Sequence, residues 1–296
     1  MNRSGKVAAA ALALVLVCPF PAAAKVQARD DNQALVTLPR PAHRIISLAP
    51  HATEMLFAIG AGARVVGVSQ YSDWPPQARS LPRVSGAAGL DVERILAAKP
   101  DLVIAWRSGT PALALQKLRD LGLPVFVSEP RRLADIPDTL ERLGILSGHT
   151  GEARKIARRM RQSVSALRQK YGARRRLRVF YEIWQQPLMT IGGTHYLNDV
   201  LHLCGGENVF AANRELNFTV GVEAVLAARP DVILAGRSKK SGWQDFWKRW
   251  TGIPAVANRQ LYGIPADLVH RPGPRLLQGA RQICRDLDHA RQTGAP

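Results

Sequence analysis

The chain has 296 residues, 46% of them hydrophobic and 22% charged, which suits a globular fold of two ordinary domains and excludes a disordered or fibrous one. Lys and Arg number 41 against 23 Asp and Glu, a formal net charge of +18 that raises nucleic acid as a partner. The basic residues are scattered as singles and short clusters, such as Arg174-Arg175-Arg176 and Lys239-Lys240, with no nucleic-acid motif around them, so that partner is set aside for a solubilising or membrane-facing basic surface.

Residues 1–24 read as a secretory signal peptide. Arg3 and Lys6 precede the apolar run Val7 to Val17, and Ala22-Ala23-Ala24 is a small-residue cleavage signature, with cleavage expected after Ala24. The run is too short for a membrane span. Cys18 is flanked by Val17 and Pro19, where an acylation signal wants a small residue before the cysteine, so a soluble exported protein is expected. The remaining cysteines, Cys204 and Cys284, then lie in an oxidising compartment, where one disulfide is the default and two buried thiols the alternative.

Residues 25–43 are polar and lack periodicity, which predicts an extended or loose lead-in. The first α/β lobe, 44–149, is expected to open with strands at Arg44 to Leu48 and Val65 to Val68 around a helix from Thr53 to Ile59. The second of these strands runs into a loop, Ser69 to Pro76, carrying Tyr71 and Trp74. His51 and Glu54 stand three apart at the helix start, a weak metal pattern better read as capping and solvation. A helix at Ala112 to Leu121 and a strand at Val125 to Val127 follow.

Gly151 to Tyr171 carries Ile156, Met160, Val164, Leu167 and Tyr171 at helical spacing, with Gly172 as its stop. A helix of about 20 residues spans about 30 Å, enough for residues 150–172 to join two lobes stiffly. The second lobe, 173–296, then repeats the order of the first: strand Arg178 to Tyr181, helix Tyr196 to Leu203, strand Gln260 to Ile264 and a closing helix Arg275 to Arg291. Trp243, Trp247 and Trp250, spaced four and three, read as a packed helical stripe.

The lobes share a duplicated segment. Val92-Glu93-Arg-Ile-Leu-Ala-Ala-Lys-Pro-Asp-Leu-Val-Ile-Ala-Trp-Arg-Ser108 and Val222-Glu223-Ala-Val-Leu-Ala-Ala-Arg-Pro-Asp-Val-Ile-Leu-Ala-Gly-Arg-Ser238 lie 130 positions apart, too far for a solenoid repeat of at most about 50 residues. Each copy reads as a short helix stopped at Lys99-Pro100 or Arg229-Pro230, then a strand covered on both faces. Trp106 and Gly236 fall just past the carboxyl ends of equivalent strands, where open α/β sheets bind ligands. Glu93 and Glu223 are acids that packing does not require.

Arg44-Ile-Ile-Ser-Leu-Ala-Pro, Val66-Gly-Val-Ser-Gln-Tyr-Ser-Asp-Trp-Pro-Pro76, Lys99-Pro-Asp-Leu-Val-Ile-Ala-Trp-Arg107 and Cys204-Gly-Gly-Glu-Asn-Val-Phe210 resemble the vitamin B12-binding proteins that serve bacterial ABC importers. The resemblance implies an α/β protein of two Rossmann-like lobes, each with a mainly parallel sheet, joined by a long rigid helix and holding cobalamin or a related corrinoid between them. It implies delivery to a membrane-embedded permease with its ATPase, a monomer when free, no catalysis, no resident cofactor and no metal site. Tyr71, Trp106, Asp267 and Arg271 match family positions that contact the corrinoid, and Leu268, Val269 and His270 lie in the same stretch, read as a loop after a strand. Glu93 and Glu223 match acids set against permease arginines, and Cys204 and Cys284 match the family disulfide. Three family aromatics are replaced by Ala87, Met189 and Asn217, with Trp74, Trp184 and Phe218 close enough in sequence to substitute.

A broad macrocycle edged with amides needs flat aromatic surfaces and a few hydrogen-bonding groups, which Tyr71, Trp106, Asp267 and Arg271 supply. His195, His202 and His270 lack metal-site spacing. The rival reading is a haem receptor on the same scaffold, with Tyr71 as iron ligand and Arg271 near the propionates. An exported hydrolase has no Gly-x-Ser-x-Gly elbow to support it.

Overall fold

The computed structural model describes residues 25–86, 89–237 and 242–294. The expected signal peptide with its cleavage point and Cys18, together with Ala87, Ser238 and Lys239-Lys240, lie outside the described residues. Two α/β units flank one long helix.

In the first unit the strands Val65–Val68, Ile45–Ser47, Leu102–Trp106 and Val125–Ser128 lie side by side in that order, all parallel. In the second, Leu177–Gln185, Val232–Gly236 and Leu261–Ile264 are parallel neighbours, and Gly206–Asn208 pairs in parallel with the start of Leu177–Gln185. The far end of that long strand turns into Leu188–Ile191, which pairs antiparallel with it and with Asn217–Thr219. The second sheet is therefore mixed, parallel through its centre and antiparallel at one side.

The duplicated segment forms the same module twice. Its helices are Val92–Ala97 and Val222–Ala228, and each ends at a basic residue in the left-handed region, Lys99 at φ 46° and Arg229 at φ 43°, ahead of the proline. The aspartate after each proline ties the new strand to its neighbour: Asp101 accepts from the Arg44 N–H at 2.8 Å, and Asp231 from the Arg178 N–H at 2.8 Å. The side chains of Arg44 and Arg178 in turn donate to the last helical carbonyls, Ala98 and Ala228, each at 2.8 Å. These bonds satisfy carbonyls that a helix end otherwise leaves open.

Both repeated strands are buried on both faces, and successive side chains enter different cores. Leu102 and Ile104 of one, and Val232 and Leu234 of the other, join a single apolar core that also takes Ala153, Met160 and Tyr171 of the helix Thr150–Tyr171. Val103 and Ala105 face a separate core in the first unit, and Ile233 and Ala235 one in the second. A core shared by both units and the helix between them leaves no independent hinge of extended chain, so large relative rotation would open apolar surface at about 25 cal/mol per Å². The helix packs on Asp135–Ser147 of the first unit and on Leu197–Leu203 and Leu276–Gln292 of the second.

The lead-in is extended, and it is held in register rather than loose. Residues Val26–Arg29 and Leu35–Leu38 form an antiparallel hairpin. The buried Asp30 caps its turn through the N–H groups of Asn32 and Ala34, and its other oxygen accepts from the Val127 N–H. Asp31 accepts from the Glu129 N–H and pairs with Arg142 at 2.6 Å. The hairpin thus covers the open edge of the first sheet, which a sequence without apolar period does not announce. The disulfide between Cys204 and Cys284 is present, at 2.01 Å, and joins the end of Leu197–Leu203 to the closing helix. Trp247 ends the short helix Gln244–Trp247, Trp243 precedes it and Trp250 lies beyond it, so the expected helical stripe is instead a cluster around one turn, with Trp243 and Trp247 buried and Trp250 packed against them.

Candidate functional site

The carboxyl edges of the two sheets meet across an ion-pair cluster. Arg271, from the second unit, reaches Glu54 at 3.0 Å and Asp73 at 2.7 Å in the first, and holds Asp267 at 2.9 Å through its other terminal nitrogen. Arg275 shares Glu54 at 3.0 Å and stacks its guanidinium 4.3 Å from the Trp74 ring centre. Burial pushes the Glu54 carboxyl above its usual range, against the opposing pull of Arg271 and Arg275. At the more open Asp73 burial also pulls upward, but the hydrogen bond and charge of Arg271 outweigh it and hold that carboxyl below the usual range.

Glu54 lies one turn after His51 on the helix Pro50–Ala58, and both are buried. Neither serves as a solvated cap, which corrects the sequence reading. The His51 ring bonds Ser128 Oγ at 2.9 Å and meets Trp106 edge to face at 5.5 Å. Burial lowers its pKa to about 3, so it is neutral at ordinary pH. Trp106 lies at the end of its strand over Gly109, where any Cβ would collide with the indole. The edge contact and the glycine together fix the ring plane.

In the second unit the equivalent of Trp106 is Gly236, and the structure explains the difference. A Cβ there would strike the His270 ring and the Tyr181 hydroxyl, which hydrogen-bond each other at 3.0 Å over the strand end. Burial lowers the His270 pKa to about 4 and that of His195 to about 3. Among the described residues no group of three His, Cys, Asp or Glu side chains is placed to hold a metal ion.

The expected aromatic surfaces divide between two places. Tyr71, 71% exposed, follows the carboxyl end of Val65–Val68 on the same sheet edge as Trp106. Trp184, 56% exposed, sits near the end of the long strand of the second unit beside Met189, its cross-strand partner. Trp74 instead lines a groove of about 500 Å³ with Glu54, Phe57 and Pro274. Phe218 packs edge-on against Phe210 and Asn217 is exposed, so neither supplies an exposed aromatic face like that of Trp184. Asp267 to Val269 form a short helix, Ala266–Val269, where a loop was expected. Within it Asp267 is exposed and Leu268 half-buried, but the Val269 side chain is wholly in the core, and its carbonyl accepts the Tyr196 hydroxyl at 2.7 Å.

Glu93 and Glu223 occupy the first turn of the two repeated helices. Both are exposed, and neither forms an ion pair among the described residues. The sequence reading passed over Asp73 and Arg275, and it missed Glu182 and Arg237. Glu182 had a signal, an acid inside the apolar strand Leu177–Gln185, and Arg237 had another, its place opposite Arg107 in the duplication.

Comparison with known proteins places this architecture. A family profile described as periplasmic binding protein matches residues 45–268. The chain is 39% identical over 260 residues to the vitamin B12-binding protein of Vibrio cholerae, covering 88% of this chain and 94% of that one. It is 38% identical over 257 residues to that of Yersinia pestis, covering 86% and 90%. The crystal structure of the periplasmic vitamin B12-binding protein of Vibrio cholerae superposes with a TM-score of 0.79 over 85% of this chain and 98% of that chain. The periplasmic haem-binding protein of Vibrio cholerae, 22% identical with a TM-score of 0.71 over 82% of this chain and 98% of that one, shares the fold. The chain belongs to the periplasmic binding protein family, in the branch that includes the vitamin B12-binding proteins of Vibrio and Yersinia.

Proposed function

We propose that this protein captures cobalamin or a related corrinoid between its two lobes, 44–149 and 173–296, and delivers it to an ABC permease with its ATPase without transforming it. The observation that carries the reading is the 39% identity to a vitamin B12-binding protein over 88% of this chain, coverage that includes both sheets and the helix between them. Tyr71, Trp106 and Trp184, with Met189, offer flat apolar surface to the macrocycle, and Asp267, Leu268, His270 and Arg271 line the rim where its amides need partners. Residues 150–172 act as a stiff link. Trp74, beside Arg275, extends the aromatic surface towards the lobe boundary.

Glu93 and Glu223 would serve as one negative handle per lobe for basic residues of the permease, since exposed unpaired acids cost nothing in folding and steer association. The protein acts as a monomer in the periplasm after cleavage of the export signal behind Ala24. Purified protein titrated calorimetrically with cobalamin, cobinamide and haem tests the assignment. Saturable binding of a corrinoid is expected. A shifted haem Soret band, with cobalamin lost on dialysis, would transfer the assignment to haem.

A further inference from the structure

Arg237 follows directly on the strand Val232–Gly236, at the sheet edge that carries His270. Its Nε donates to Glu182 Oε1 at 3.2 Å, and the other oxygen of Glu182 accepts from the Trp247 indole N–H at 2.7 Å. The Glu182 side chain has no exposure, whereas that of Arg237 keeps 22%. The flat guanidinium lies 5.3 Å from the Trp184 ring centre, and the Trp184 N–H is itself tied to the Gln186 carbonyl at 2.9 Å. Among the described residues the two terminal nitrogens of Arg237 have no hydrogen-bond partner.

Burial raises the Glu182 carboxyl, while the Trp247 hydrogen bond and the Arg237 charge favour its ionised form. Nothing in the packing of the core requires a carboxylate there. Its effect is to hold one edge of a guanidinium while aromatic stacking fixes the plane, so the edge that has no partner among the described residues is presented as a rigid fork. Such a fork matches the paired oxygens of a phosphate or carboxylate and gains from having lost little rotamer freedom on binding.

We propose that Arg237, positioned by Glu182 and Trp184, reads the phosphodiester of a complete corrinoid. This inference rests on the corrinoid reading above. Cobalamin carries one phosphodiester anion in its nucleotide loop, whereas cobinamide ends before it and has none. The loop also adds ribose hydroxyls and a benzimidazole, but the phosphodiester is the one anion that distinguishes the two ligands, the amides around the macrocycle being common to both. The subsite therefore separates finished ligand from truncated ligand by charge, which the aromatic surfaces do not read.

The test is calorimetric titration of wild-type protein, Arg237→Gln and Arg237→Lys with cobalamin and with dicyanocobinamide, with thermal unfolding run on each. Wild type should favour cobalamin. Arg237→Gln should lose about 10- to 100-fold for cobalamin and under twofold for cobinamide, consistent with one charge-assisted hydrogen-bonded contact. Arg237→Lys keeps a cation beside Glu182, guarding against misfolding, and should still lose several-fold for cobalamin because it lacks the fork. Equal losses for both ligands, or no loss in Arg237→Lys and Arg237→Gln alike, would overturn the proposal. Failure of wild type to bind either corrinoid would sink the corrinoid reading instead.

Discussion

Arg271 and Glu54, 217 positions apart in the sequence, meet at 3.0 Å across the boundary between the lobes. The Glu54 side chain is 2% exposed and that of Arg271 11%, so the pair is largely out of water. Removing Glu54 takes from Arg275 the acid it shares and leaves Arg271 with only the more exposed Asp73 and Asp267. Glu54→Ala is expected to lower stability by about 3 kcal/mol, whereas Asp73→Asn, at a side chain left 47% exposed, should cost under about 1 kcal/mol. Urea unfolding of the two variants checks the order; equal effects would show that the bridge does not hold the lobes together.

One buried histidine, His51, and two half-buried ones, His195 and His270, set an acid limit. Burial lowers His51 and His195 to about 3 and His270 to about 4, from an ordinary value of 6.5. Below pH 6.5 the unfolded chain takes up protons that the folded chain refuses. Stability is thus full above pH 6.5 and falls with pH until about 3 to 4, by up to about 1.4 kcal/mol per unit for each histidine. The midpoint of thermal unfolding should drop between pH 6.5 and 4, and His51→Gln should flatten that dependence.

Docking and binding should separate by mutation. Glu93→Lys with Glu223→Lys reverses two exposed acids remote from any core contact, so corrinoid affinity should stay within about twofold while cellular uptake is lost. Calorimetry alongside an uptake assay decides this, and a large fall in affinity would refute a docking role.

Tyr71→Ala and Trp106→Ala should behave in the opposite way. Each removes an aromatic face at the first sheet's carboxyl edge, for a loss of about 1 to 3 kcal/mol, or roughly 5- to 150-fold in affinity. The proteins should still unfold cooperatively. Trp106→Ala should be the more destabilising, because its ring packs on Gly109 and His51 whereas Tyr71 stands in solvent.

Reducing the Cys204–Cys284 disulfide releases a cross-link between residues 80 apart. The chain-entropy account assigns it about 4 kcal/mol. Unfolding in dithiothreitol should show a lowered midpoint, reproduced by Cys204→Ala with Cys284→Ala.

The sequence by itself determined the elements with strong local signals. Continuous apolar runs bounded by Lys99-Pro100 and Arg229-Pro230 fixed two buried strands, and the stripe from Ile156 to Tyr171 fixed the long helix. The duplication exposed two equivalent units, because packing on both faces of a strand leaves a pattern that survives divergence. Tertiary structure alone decided the rest. Asp30 ordered the lead-in only by finding Val127, Glu54 gained its guanidinium partners only where the second lobe meets the first, and His51 found Ser128, 77 positions away in its own lobe. Gly236 could not be an aromatic because His270, from a distant segment, fills that space. Arg237 acquired its orientation from Glu182 and Trp184. In each case the partner lies tens to hundreds of residues away, and a polar side chain's role depends on its partner's position, which local composition does not carry.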